Sequence, residues 1–292
     1  MFDLIGSIKK KTGLDDLFGD GMSVPKSVQD VIKIDAVYSD GIFLTGKDRY
    51  SKTFKFTDIN YAVSSKEDKE ANFLRYSEIL NSLENGISSQ ITIINRKLKN
   101  SELKEIALLE KANDDKDKYR KEINDMLTMI ANGANAIVQD KYVTLTIQKK
   151  TAQEARSHFN RVGADLIAHF ARLGSKCSEL DLTERLRIIH DFCRPKESAD
   201  YHFDLRDTMQ KGQSFKDYIT PDGFEFKSDY FKIGDRFGRV LFIRDYPSYI
   251  KDSVVWELTD TNRNMIFNFD IIYPPFERIE CSFIYILTQM GY

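Results

Sequence analysis

The spacing most suggestive of chemistry is Gly41-Ile42-Phe43-Leu44-Thr45-Gly46-Lys47-Asp48, which fits G-x-x-x-x-G-K. A loop of that type cradles phosphates on its backbone N–H groups, and the Ser or Thr after the lysine holds magnesium. Here Asp48 stands in that place and would set a carboxylate against the phosphates. Ile42, Phe43 and Leu44 are bulky and apolar, and the residues that follow alternate like a strand, so no helix N-terminus is in line to receive an anion. The spacing predicts a hairpin turning at Gly46. No cofactor-binding residue is assigned to it, and no cofactor is expected.

The other reactive residues are scattered. The histidines are His158, His169, His190 and His202. His190 and Cys193 are three apart and would share a helix face near Cys177, but zinc needs a second pair at matching spacing and the sequence holds none. No G-x-S-x-G occurs. Asp and Glu are plentiful without a motif that pairs them. No catalytic residue and no metal ligand is therefore assigned. Arg156, Arg161, Arg172 and Lys176 give one helical region a modest positive charge, as an ordinary solvated helix also carries.

The elements that would position these residues become legible from Gly41 onward. Thr53-Phe54-Lys55-Phe56-Thr57 alternates with period two, as a half-buried strand does. Ser65 and Asp68 then stand at capping-box spacing ahead of a helix carrying Phe73, Tyr76, Leu80 and Leu83, which Asn85-Gly86 stops. A second strand is predicted near 88–97 and a long helix over 102–132, with Ile106, Leu109, Ala112, Tyr119, Ile123, Met126 and Ile130 as its apolar positions. Its middle, Asn113 to Lys118, is wholly polar: a solvated face or a break.

Val143, Leu145 and Ile147 alternate with Thr144, Thr146 and Gln148 in the clearest strand pattern of the chain. Thr151 starts a helix with Ala155, Phe159, Val162, Leu166, Phe170 and Leu173 on one face, and Gly174 ends it. A short strand near 176–182 and a short helix from Leu182 follow. With the insert removed, the order is that of the ferredoxin-like β-α-β-β-α-β fold. The fold class expected is α+β: an N-terminal arm over 1–40, a ferredoxin-like domain over 41–200 with a helical insert at 102–132, a smaller β-rich lobe over 201–275 and an atypical tail at 276–292. The sheet core is expected to contain Phe54, Phe56, Ile91, Ile93, Val143, Leu145 and Ile147 under Leu80, Phe159, Val162 and Phe170. Lys55, Thr92, Thr144 and Thr146 would form a polar outer face without the aromatics on which an RNA-binding sheet stacks bases.

The chain has 292 residues, with 43 Lys+Arg against 45 Asp+Glu and a formal net charge of -2. That balance excludes a strongly basic nucleic-acid protein and an acidic solvating chain. The three cysteines Cys177, Cys193 and Cys281 fit a reducing compartment better than a disulfide framework. Phe2, Leu4, Ile5 and Ile8 ahead of Lys9, Lys10 and Lys11 are either a frayed terminus or a short helix that docks on a partner or a membrane surface. Lysines after so short an apolar stretch are the reverse of a secretory signal, and no segment approaches about 18 consecutive apolar residues. A cytoplasmic protein is expected, or one peripheral to the inner face of the cell membrane.

Two stretches carry a resemblance. One runs from Pro25-Lys26-Ser27-Val28-Gln29-Asp30 through Asp40-Gly41-Ile42 to Arg49-Tyr50-Ser51-Lys52-Thr53-Phe54-Lys55-Phe56-Thr57-Asp58-Ile59-Asn60-Tyr61. The other runs from Tyr230-Phe231-Lys232-Ile233-Gly234-Asp235 to Val240-Leu241-Phe242-Ile243-Arg244-Asp245-Tyr246-Pro247. Together they resemble the N-terminal region of the VirB/TrbE/TraE-type conjugal transfer ATPases of mobile elements, over about residues 25–270. The resemblance implies a cytoplasmic engine of type IV secretion whose N-terminal region precedes a RecA-like motor with Walker A and B motifs. No nucleotide-binding residue of that motor is carried onto this chain.

The function expected from the resemblance is a non-catalytic docking and assembly module for a DNA-transfer channel. Its partners would be other channel components, with oligomerisation and peripheral membrane contact compatible and nucleic acid disfavoured for this chain alone. The alternatives are a nucleic-acid-handling module of a mobile element and an independent enzyme. Beyond Asn268-Phe269-Asp270 the chain departs from the family, so a truncated product is expected. In it, residues 276–292 would add little to the fold. Phe283-Ile284-Tyr285-Ile286-Leu287 would be an exposed aggregation hazard. The competing expectation for this tail is an edge strand beside Met265 to Ile272.

Overall fold

The structure is a computed structural model that describes residues 25–59, 64–83, 86–98, 102–103, 107–132, 137–194, 201–243, 252–261, 263–272 and 280–289. The first half of the chain contains α1 (Val28–Val31), β1 (Ala36–Val37), β2 (Phe43–Leu44), β3 (Arg49–Phe56), α2 (Lys66–Asn81), β4 (Ser88–Lys97), α3 (Asp117–Asn132) and β5 (Ile137–Gln148). The second half contains α4 (Ala152–Arg172), β6 (Cys177–Glu179), α5 (Leu182–Cys193), α6 (Leu205–Gln210), α7 (Phe215–Ile219), β7 (Phe224–Phe226), β8 (Phe231–Ile233), β9 (Arg236–Phe242), α8 (Asp252–Thr259), β10 (Met265–Ile272) and β11 (Glu280–Gln289).

The chain is a mixed α+β protein built on one antiparallel sheet. Its strand order is β1-β2-β3-β5-β4-β10-β11-β9-β8-β7, with β6 on the remaining stretch of the β3 edge. Two strand–helix–strand units interleave within it, β3-α2-β4 and β5-α4-β6, which sets the four strands side by side as β6, β3, β5, β4.

Local chemistry explains the helix boundaries. Ser65 Oγ accepts from the Asp68 N–H, Thr151 Oγ1 from the Glu154 N–H, and Asp181 with Glu184 forms a complete capping box for α5. Gly174 leaves α4 at φ +83, the left-handed conformation that closes a helix cheaply only at glycine. Phe54, Val143, Leu145 and Ile147 are buried under Phe159, Val162, Leu166 and Phe170 of α4, Ile79 of α2 and Leu83 just after it. Of the expected core, Phe56, Leu80, Ile91 and Ile93 are only half-buried.

The opposite sheet face is less open than its threonines suggest. Helix α5 lies over β2 and β3 there, with Leu182 and Leu186 joining Ile34, Phe43, Phe203 and Ile219 in a second core. Arg185 is fully inside this layer. Its Nη1 donates to Gly41 O at 2.6 Å and to Ser51 O at 2.8 Å, and the guanidinium lies 3.9 Å from the Phe43 ring centroid. Burial pulls the Arg185 guanidinium down, to about 9. Farther across this face the rungs are polar: Thr53 to Thr144 at 2.8 Å, Gln90 to Asp270 at 2.7 Å and Thr92 to Asn268 at 2.7 Å.

Several expectations change. The helix expected over 102–132 is not continuous: residues 102–103 are helical, 108–112 are not, and α3 starts at Asp117, whose carboxylate accepts from the Ala112 and Asn113 N–H groups at 3.1 and 2.9 Å. The arm expected over 1–40 is part of the fold from α1 onward, with Ile34 buried; residues 1–24, including Phe2 to Lys11, lie outside the described residues. The boundary expected at residue 201 does not interrupt the molecule. Phe203 and Ile219 belong to the core under α5, and β10 pairs with β4 from Met265↔Asn95 to Ile272↔Ser88. In the β-rich lobe expected over 201–275, Val240, Leu241 and Phe242 of β9 are 47%, 44% and 66% exposed. The described part of the tail is not an edge: β11 pairs with β10 on one side and β9 on the other.

The Asp270–Gln90 rung has a pH signature. Burial raises the Asp270 carboxyl above its ordinary value, against a smaller opposing effect of the Gln90 hydrogen bond. A raised carboxyl favours the fold while protonated, and that benefit is lost as pH rises through the folded pKa. Asp270→Asn keeps an acceptor for Gln90 and removes the charge. It is expected to raise the melting temperature at pH 7 and to leave it unchanged below about pH 3, where the unfolded carboxyl is also protonated. Thermal melts at both pH values check this.

Candidate functional site

The glycine-rich stretch is a hairpin. Phe43 and Leu44 pair with Ser51 and Tyr50, Thr45 N–H donates to Arg49 O at 2.9 Å, and Ile42 and Phe43 are each 1% exposed. Gly41 has φ +75, and a Cβ there would sit 2.1 Å from the Leu180 carbonyl oxygen. The residue is glycine because two backbone segments touch at this point.

The other singled-out residues are dispersed. His190 and Cys193 are both buried on α5, and burial pushes the Cys193 thiol up to about 12 and the Cys177 thiol up to about 11. Among the described residues no group of three His, Cys, Asp or Glu side chains could hold a metal ion. Of the basic cluster, Arg156 is already engaged, its Nε 2.5 Å from Asp40 Oδ2 and its Nη1 3.0 Å from Gln153 Oε1. No described helix is long and apolar enough to cross a membrane.

Two features stand out on the surface. The first is the insert between β4 and β5. Its root is fixed at the sheet: Arg96 grips Glu102 with two hydrogen bonds of 2.7 Å while its Nε lies 2.5 Å from Asp140, which also pairs with Lys55 at 2.9 Å. Burial alone would raise the Asp140 carboxyl, but Lys55 and Arg96 overcome it and hold the group below the usual carboxylate range. Asn124 on α3 then clamps the incoming chain, accepting from Leu109 N–H and donating to Leu109 O, both at 2.9 Å. Arg120 ties Asp114 and Asp117 together.

The helix held this way presents an apolar seam to solvent. Tyr119, Ile123, Met126 and Ile130 are 62%, 42%, 51% and 59% exposed, at spacings of 4, 3 and 4 residues. That is the heptad spacing of a helix built to pack along another helix. The residues were legible as apolar positions of the predicted helix; that they face outward was not.

The second feature is a cleft between α2 and α4. Phe73, Leu74 and Tyr76 of α2 remain 66%, 62% and 37% exposed, while Ile79 of the same helix and Leu83 just after it are buried. Below them is an inner cavity of about 250 Å³, lined among others by Leu80, Ile91 and Val143. It shares Phe56, Asp58, Tyr76 and Phe170 with an outer groove of about 330 Å³. The Phe56 and Phe170 rings stack with centroids 4.9 Å apart. The cavity's polar lining is Asp58, Tyr76, Ser89 and Lys141; Ser89 is 2% exposed with a hydroxyl that has no hydrogen-bond partner, and Lys141 is paired with Asp58. Nothing in the sequence pattern marks Ser89 or Lys141. No protein-family model matches the chain, and no curated protein matches it.

Proposed function

We propose that the chain is a non-catalytic docking and assembly module of the kind that precedes the motor in VirB/TrbE/TraE-type conjugal transfer ATPases, acting in the cytoplasm at the inner face of the membrane. The observation that carries this reading is the α3 seam. Four large apolar residues in heptad register stand in solvent on a helix whose root is held by the Arg96–Glu102–Asp140 network. Exposed apolar surface of this kind marks an interaction site. The occupant that fits is an amphipathic helix of another channel component, laid along the seam.

The unit made by β3, β4, β5 and β6 with α2 and α4 is read as a ferredoxin-like domain, and the α3 region as its insert. The interleaved strand order supports that assignment. A protein partner fits the surface better than nucleic acid, because Arg156 and Arg120 are already held by carboxylates.

The test is co-purification with the separately expressed components of a conjugative channel. The wild-type chain is expected to retain at least one of them. Ile123→Asp combined with Met126→Asp is expected to lose it while melting at the wild-type temperature, since surface changes cost within about 0.5 kcal/mol. Retention by the double variant contradicts the reading.

A further inference from the structure

The floor of the α2–α4 cleft runs along β4 and β5. Lys141, Val143 and Leu145 share one face of β5, and Ser89 lies opposite Leu145 while Ile93 lies opposite Lys141. Lys141 and Ser89 therefore mark positions four residues apart along the strands, about 13 Å at the strand rise of roughly 3.3 Å per residue. Between them the floor is apolar, formed by Ile91, Ile93 and Val143.

We propose that this cleft is a binding site for an elongated amphiphile about 13 Å long, with an anionic group at Lys141 and an uncharged hydrogen-bonding group beside Ser89. Three observations carry it. The Ser89 hydroxyl is buried in an apolar wall without a partner, an arrangement that costs stability until something bonds to it. Lys141 is 14% exposed while its partner Asp58 is 73% exposed, so a ligand anion can replace Asp58 by letting that side chain swing into water. The inner cavity, at about 250 Å³, exceeds the roughly 150 Å³ that suffices for a benzene-sized apolar guest. With the adjoining groove it reaches the range of small-molecule sites. The site is separate from the α3 seam and does not depend on the docking reading.

Calorimetric titration of the full chain with 10-hydroxydecanoate, decanoate and 1-decanol, each below its aggregation limit, tests the proposal. One equivalent of 10-hydroxydecanoate is expected to bind tightest, with decanoate weaker by about 2–10-fold, the worth of one neutral hydrogen bond, and 1-decanol weaker by about 10–150-fold, the worth of one charge-assisted contact. Ser89→Ala is expected to abolish the preference for 10-hydroxydecanoate over decanoate. Lys141→Met is expected to abolish the preference for decanoate over 1-decanol. Absence of binding to folded wild-type chain, uptake of several equivalents, or preferences unchanged in both folded variants would overturn it.

Discussion

Deletion of residues 276–292 is expected to destroy cooperative folding or to lower the melting temperature by more than about 10 °C. Strand β11 lies inside the sheet. Its backbone is in register with β10 from Met265↔Leu287 to Ile272↔Glu280, and with β9 from Ile284↔Phe242 to Gln289↔Phe237. Removing it exposes a long edge of β10 and detaches the β7–β8–β9 meander from the rest of the sheet. Each backbone hydrogen bond contributes about 0.5–1.5 kcal/mol net, so losing ladders on both edges of one strand approaches the whole stability of a typical domain, about 5–15 kcal/mol. Circular dichroism melts of the full and shortened chains read this directly. An unchanged melting temperature would show that the tail is dispensable.

Gly41→Ala is expected to cost at least about 3 kcal/mol. At φ +75 an alanine already pays about 1–2 kcal/mol for the left-handed conformation. Its Cβ would also lie 2.1 Å from Leu180 O and 3.1 Å from Asp181 C. Neither side can retreat easily. Leu180 N–H is bonded to Thr53 O at 3.0 Å, and Gly41 is held by its N–H to Tyr38 O at 2.9 Å and by Arg185 on its carbonyl. Gly223→Ala, where a Cβ meets nothing within 4 Å, serves as the control and is expected to change stability by less than about 0.5 kcal/mol. Urea denaturation of the two variants separates the effects. Equal midpoints would contradict the close approach at Gly41.

The parts of the fold legible in the sequence are those where local chemistry decides. Ser65 and Thr151 announce their helices because a side-chain oxygen caps a specific N–H group, and Val143 to Ile147 announces a strand because one face is buried. Failures occur where distant partners decide. Phe283 to Leu287 has the composition of an exposed aggregating segment, and only pairing with β9 and β10 makes it internal. Arg185 gives no sign in sequence that it is buried, since its acceptors come from Gly41 and Ser51. The polar run Asn113 to Lys118 left a helix break open, but not the Asp117 turn that produces it. Ser89 looks like any strand serine, and only the folded structure puts its unpartnered hydroxyl in the wall of the cavity.

The stretch that most resembles a nucleotide loop provides the most direct test of the proposal that this chain binds partners and is not itself an engine. Magnesium–ATP titrated into the full chain, with phosphate release followed in parallel, is expected to give neither binding heat nor turnover, and Lys47→Ala is expected to behave as the wild type does. The reason is structural: Ile42 and Phe43 are each 1% exposed and Gly41 is pressed against Leu180, so the backbone N–H groups of this hairpin are not gathered around a phosphate. ATP hydrolysis by the wild-type chain that disappears in Lys47→Ala would contradict the account.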